Sequence, residues 1–149
     1  MTLPVVAVVI PAYRVADQIA TVVACVPPEV RDIIVVNDAS PDSLDDVLAR
    51  IADPRLIAVR HDVNRGVGAA MKTGFRLALE RGADIVVKID GDGQMDPGLV
   101  PHFVGLVASG ACDIAKAHLT RAGVSYRNAP LASGAEIRIG ETAIRAPDP

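Results

Sequence analysis

Between residues 88 and 97 the chain reads KIDGDGQMDP, which puts the carboxylates of Asp90, Asp92 and Asp96 and the amide of Gln94 into seven consecutive positions. Two carboxylates separated by one glycine and followed by an amide oxygen make a hard, all-oxygen donor set. Mg²⁺ and Mn²⁺ take such sets and keep coordination positions open for phosphate oxygens. Asp and Gly are also ordinary turn formers after a strand, so the spacing alone leaves both readings open. An EF-hand is excluded, because its loop needs glycine at position 6 and glutamate at position 12, and counting from Asp90 gives Met95 and Pro101.

A second stretch, NRGVGAAMKTG from Asn64 to Gly74, is the other place where phosphate could be handled. Gly66, Lys72 and Thr73 fit the P-loop template, but Met71 stands where that template needs a glycine for the backbone to wrap a phosphate. The same methionine spoils a dinucleotide fingerprint built on Gly66 and Gly68. Lys72 then reads as part of a solvated face and Gly74 as a close helix contact. Asp38, just after a hydrophobic run, either reaches a nucleotide base or ribose or caps a turn. His61, His102 and His118 have no ligand spacing and read as surface or loop residues. No serine sits in a GxSxG elbow, and neither Cys25 nor Cys112 has a neighbouring histidine, so covalent hydrolase chemistry has no support. Both cysteines read as free thiols.

Elements that would position these groups follow from the apolar pattern. Val5 to Ile10 is a buried strand ended by Pro11, and residues 15 to 26 carry a helical period stopped by Pro27 and Pro28. Asp32 to Val36 is the second strand, and Ser40 with Pro41 reads as the N-cap and first position of a helix ending near Ala52. Leu56 to Arg60 is the third strand, followed by a helix from about Ala69 to Arg81 closed by Gly82. Ile85 to Ile89 is the fourth, and a helix over 97 to 108 follows the acidic stretch. This alternation predicts an α/β fold with a mostly parallel sheet and right-handed crossovers. Ligands of such sheets bind beyond the carboxyl ends of the strands, where residues 11–14, 37–42 and 90–96 fall.

Composition agrees with an aliphatic core. Aromatic residues are only 3% of the 149, while half the chain is apolar, as buried parallel strands require. A formal charge of -3, with no long basic run, lacks the footprint of a nucleic-acid binder. The N-terminal apolar run has no basic region before it and is too short to span a bilayer, so neither export nor membrane insertion is expected. The expected location is cytoplasmic.

Taken in order, VVIPAYR, IIVVNDASPD, HDVNRGVGAAMKTGF and KIDGDGQMDP resemble family 2 inverting glycosyltransferases, the nucleotide-sugar enzymes with a GT-A fold. Within that family the likeness is to polyprenyl-phosphate sugar transferases of the dolichyl-phosphate mannose synthase kind. It runs from about residue 3 to residue 116. The resemblance implies a nucleotide pocket lined by Pro11, Ala12, Tyr13 and Asp38, with Arg65 and Lys72 near the donor and Asp90 and Gly91 against the nucleotide-sugar. It also implies that Asp90, Asp92 and Gln94 hold Mg²⁺ or Mn²⁺ against the diphosphate of a UDP- or GDP-sugar, which gives Asp90 and Asp92 the catalytic role. The acceptor it implies is a lipid phosphate at the cytoplasmic membrane face, whose anionic oxygen needs no strong base to attack.

Two departures from the family pattern stand out. Arg14, Val15 and Ala16 intervene before the first acidic residue after the PxY motif, Asp17. From Ala117 onward the likeness stops, so residues 1–116 are expected to be a donor-binding half of an incomplete GT-A domain and 117–149 an atypical, irregular tail, joined by truncation or a frameshift. The alternatives are a non-catalytic nucleotide-sugar-binding remnant and a P-loop hydrolase. The sequence leaves the oligomeric state open.

Overall fold

A computed structural model describes residues 2–110 throughout and, beyond them, the backbone of three strands at 114–120, 123–129 and 142–145. In chain order the elements are β1 (Val6–Ala12), α1 (Ile19–Ala24), β2 (Asp32–Asn37), α2 (Leu44–Arg50), β3 (Leu56–Arg60), α3 (Val67–Glu80), β4 (Ile85–Lys88), α4 (Val100–Ala108), β5 (Ile114–Thr120), β6 (Gly123–Ala129) and β7 (Thr142–Arg145). The sheet runs β3-β2-β1-β4-β7-β5-β6. Its first four strands are mutually parallel, as the alternation predicted, and β7, β5 and β6 extend it antiparallel.

Near-continuous aliphatic strands are needed because both faces of the sheet are covered. Val8, Ile10, Ile33, Val35, Ile85 and Val87 pack with α1, α2 and α4, through Ile19, Leu44, Leu48 and Phe103. The alternate positions Ala7, Val9, Ile34, Val36 and Val86 pack with α3, through Ala70, Met71 and Ala78. At the end of the sheet away from the strand tips, buried Asp32 accepts from the guanidinium groups of Arg31 and Arg81 at 2.8 and 3.1 Å.

The observed element ends differ from the sequence expectation where polar side chains intervene. Pro11 does not end β1, which continues to Ala12 beside β2. On its other edge the ladder to β4 stops after Val9, whose carbonyl accepts from the Ile89 N–H at 3.0 Å. The next rung would need an N–H from Pro11, which has none, so β1 and β4 part there. Residues 15–18 form a turn ahead of a shorter α1, in which the Gln18 and Ile19 N–H groups both donate to the Val15 carbonyl, at 3.0 and 2.9 Å, and the Ala16 N–H donates to Asp42 at 3.0 Å. Ser40 is not a helix cap: α2 begins at Leu44, behind Ser43. The helix expected from Pro97 opens as a 3-10 turn over Pro97–Leu99, and Asp96 caps it by accepting the Gly98 N–H at 2.8 Å.

The boundary expected at residue 116 falls inside β5. Part of the stretch expected to be irregular is thus strand, and the rest of it lies outside the described residues.

Candidate functional site

Where β1 and β4 separate, the order of strands reverses its winding, and a crevice is expected there. A cleft of about 360 Å³ occupies the spot. The end of β1 supplies Pro11, Ala12 and Tyr13, with Val15 behind them, and the end of β2 supplies Asp38. The segment after β4 supplies Asp90, Gly91 and Asp92, and the entry to α3 supplies Asn64, Gly66, Val67 and Ala70.

Asp38 organises one wall. Its Oδ1 accepts from the Arg65 N–H at 2.9 Å and contacts His61 Nδ1 at 2.7 Å, while its Oδ2 accepts from the Gly66 N–H at 2.8 Å. Burial pushes this carboxyl up, but the Arg65 N–H, the His61 ring and the Gly66 N–H together outweigh it and hold it below its ordinary value. A carboxylate has about four lone-pair sites, so capacity remains for a ligand. Gly66 has φ 87°, which a side chain would strain, and this lets the loop present its N–H to Asp38. His61 is buried rather than superficial, and its Nε2 lies 2.8 Å from Thr73 Oγ1 on α3.

Ser40 and Asp42 organise the other wall. Ser40 Oγ accepts from the Arg14 N–H at 2.7 Å and donates to Asp42, which also accepts from Ala16. Burial raises the Asp42 carboxyl, and the Ser40 hydroxyl followed by the Ala16 N–H bring it below its ordinary value. Arg14 and Ala39 are both left-handed, at φ 57° and 54°: the Ser40 hydroxyl holds the Arg14 N–H, and Ala39 lies between the Asp38 N–H, bonded to the Ala12 carbonyl, and the Ser40 N–H, bonded to Asn37 Oδ1. Asp32 behaves alike: burial is outweighed by Arg81 and then Arg31.

These carboxyls stabilise the fold above the unfolded value near 3.8, and that contribution is lost as pH falls through their lower folded values. The melting temperature should therefore be nearly level from about pH 7 to 5 and drop steeply below about pH 4. Calorimetric scans across that range check it, and a melting temperature that holds or rises between about pH 4 and 2 would contradict the assignment.

The cleft gathers Pro11, Ala12, Tyr13, Asp38, Asp90, Gly91 and Asp92 from the sequence expectation. It does not gather three others. Arg65 meets Asp38 only through its backbone, and Lys72 is exposed on α3 away from the lining. Gln94 is exposed, and its backbone N–H binds Asp92 Oδ1 at 3.1 Å. Asn64, Gly66, Val67, Val15 and Ala70 were not foreseen in the lining, although their place after β3 and β1 was the available signal. Met71 is fully buried against the sheet, which removes the backbone wrap that a P-loop requires. Cys25 is a free, exposed thiol, as expected, and Cys112 lies outside the described residues.

Among the described residues no group of three or more His, Cys, Asp or Glu side chains could hold a metal by itself. Asp90 and Asp92 fit a hard divalent cation only if water and ligand oxygens complete its shell, which is how Mg²⁺ and Mn²⁺ commonly bind nucleotide phosphates. No described helix is long and apolar enough to cross a membrane.

The sequence model of "Glycosyl transferase family 2" matches residues 7–147. The polyprenol monophosphomannose synthase of Mycolicibacterium smegmatis is 36% identical over 132 residues, covering 83% of this chain and 48% of that protein. The undecaprenyl-phosphate mannosyltransferase of Micrococcus luteus is 38% identical over 78 residues, covering 51% of this chain and 32% of that one. The chain thus spans half or less of the length of these relatives. Among solved structures, glucosyl-3-phosphoglycerate synthase from Mycobacterium tuberculosis, in complex with Mn²⁺, UDP and glucosyl-3-phosphoglycerate, aligns with TM-score 0.62 and 25% identity over 76% of this chain and 43% of that one. S. aureus TarS aligns with TM-score 0.65 at 16% identity over 95% of this chain and 47% of that one, a likeness of fold alone.

Proposed function

Because the chain belongs to glycosyl transferase family 2, we propose that it carries the donor site of an inverting transferase that moves a hexose from a UDP- or GDP-sugar to a polyprenyl phosphate. One observation carries the reading: the ends of β1, β2 and β4 bring Pro11–Tyr13, Asp38 and the Asp90/Asp92 pair into one cleft at the point where the strand order reverses. The relatives named for polyprenol and undecaprenyl phosphate support the acceptor class.

In this reading Tyr13 offers a ring face at the mouth, with the Arg14 guanidinium 5.4 Å from its centroid, to a base or sugar. Asp38 stays ionised at neutral pH and uses its remaining capacity on the ribose or base. Asp92, exposed on the floor with one oxygen oriented by the Gln94 N–H, faces the diphosphate side together with Asp90. A divalent ion bound there supplies electrostatic stabilisation to the departing nucleoside diphosphate. The acceptor phosphate attacks the anomeric carbon from the face opposite the diphosphate: the new C–O bond forms as the bond to the diphosphate breaks, and the configuration inverts. The phosphate oxygen carries no proton that must leave, so none of the cleft carboxylates needs to act as a base. The site lies at the cytoplasmic membrane face in this account.

Isothermal calorimetry with UDP-glucose and GDP-mannose tests the donor assignment. One of the two should bind in the presence of Mn²⁺, and EDTA should abolish the heat. A protein that is folded by circular dichroism yet binds neither donor with Mn²⁺ would end the proposal.

A further inference from the structure

β4 reads IVVK, and its last residue is the strand's only charged one. Alternation along the strand puts Lys88 on the α3 face with Val86, where it is 7% exposed. Its ammonium lies 2.6 Å from Asp90 Oδ1, and the Asp90 side chain is one-third exposed at the cleft floor. A lysine in this place is costlier to bury than another valine unless its charge is paired. Nothing about forming the strand requires it. The described residues leave no buried side-chain nitrogen or oxygen without a hydrogen-bond partner, so this ammonium is accounted for.

Resting on the donor-site reading above, we propose that Lys88 is a positioning residue that holds one oxygen of Asp90 and offsets its charge, so that a divalent cation is recruited jointly with the nucleotide diphosphate rather than ahead of it. With Lys88 in place, the Lys88, Asp90 and Asp92 side chains sum to one negative charge instead of the two that the carboxylates alone would present. A bare cation meets a half-occupied ligand and a weakened field. The diphosphate supplies the missing negative charge and oxygens, and the cation then binds well. Binding of each partner is thereby strengthened by the other, by the same factor in both directions.

The test measures Mn²⁺ binding from the electron paramagnetic resonance signal of the free ion, with and without UDP, in the wild-type chain and in Lys88→Met, Lys88→Gln and Lys88→Arg. Wild type should bind Mn²⁺ weakly alone and much more tightly with UDP. Both neutral variants should bind Mn²⁺ alone at least about tenfold more tightly, because a unit charge within hydrogen-bond distance of a ligand has been removed. The enhancement by UDP should shrink by a similar factor, and Lys88→Arg should behave as wild type. Met keeps the length without polarity and Gln keeps a donor without charge, so misfolding of one, seen by circular dichroism, leaves the other informative. Unchanged or weaker binding of Mn²⁺ alone by a folded neutral variant, with UDP and Mn²⁺ still binding wild type together, would overturn the role of Lys88 and leave the donor site standing. A folded wild type that binds no UDP with Mn²⁺ would overturn both.

Discussion

Replacing Asp92 with alanine should weaken Mn²⁺-dependent binding of the donor about a hundredfold, equivalent to about 2.7 kcal/mol, while leaving the fold intact. Asp92 is exposed at the cleft floor, where among the described residues it meets no other side chain and accepts from the backbone N–H of Gln94. Removing it therefore costs stability little, about 1 kcal/mol at most for the lost turn bond. It does remove the carboxylate best placed to meet a cation, since Asp90 is held by Lys88. Calorimetric titration of both proteins with Mn²⁺ and donor, beside thermal melts, separates the two effects. If the variant binds with wild-type affinity, Asp92 is a turn residue and the metal assignment moves elsewhere.

Gly74→Ala should lower stability by roughly 3 kcal/mol, the upper range for forcing atoms into a packed core, and the melting temperature by roughly 10 °C. In a solvent-exposed helix the same change would stabilise by up to about 1 kcal/mol, so the expected sign is reversed here. α3 crosses β1 so closely that a Cβ on Gly74 would fall inside contact distance of Val9 Cγ1 and lie 3.2 Å from Val9 Cγ2. Val9 is itself fully buried in the sheet and has nowhere to retreat. Val9→Ala in the same chain should recover part of the loss, giving a coupling energy that a double-mutant cycle reads directly. Gly68→Ala, earlier in α3 and with nothing within 4 Å, is the control and should not destabilise. A Gly74→Ala protein as stable as wild type would mean that the helix sits farther from the strand than described.

α3 also shows why the two loops around the cleft hold their shape. Its Thr73 meets His61, His61 meets Asp38, and Asp38 gathers the backbone of Arg65 and Gly66. A shift of α3 away from β1 would pull on that chain of contacts, so packing at Gly74 and the geometry of the cleft are mechanically linked.

The sequence by itself determined the parallel α/β frame and most of the residues that line the cleft. Aliphatic runs, helical periods and their Pro and Gly stops are local signals, and the Asp90/Asp92 pair, Asp38 and the Pro11–Tyr13 stretch are read from neighbours in the chain. Being placed after strands, they had to reach the carboxyl edge of a parallel sheet. The tertiary structure alone decided which polar groups meet across long separations: Lys88 on the α3 face under Asp90, His61 between Asp38 and Thr73, Ser40 tying Arg14 instead of capping α2, and Gly74 against Val9. It also decided that Arg65 contributes its backbone, that Lys72 and Gln94 stay outside the cleft lining, and that β5, β6 and β7 extend the sheet past residue 116. Such pairings depend on register and crossing distance, which are set when sheet and helices pack. No short stretch of chain encodes them.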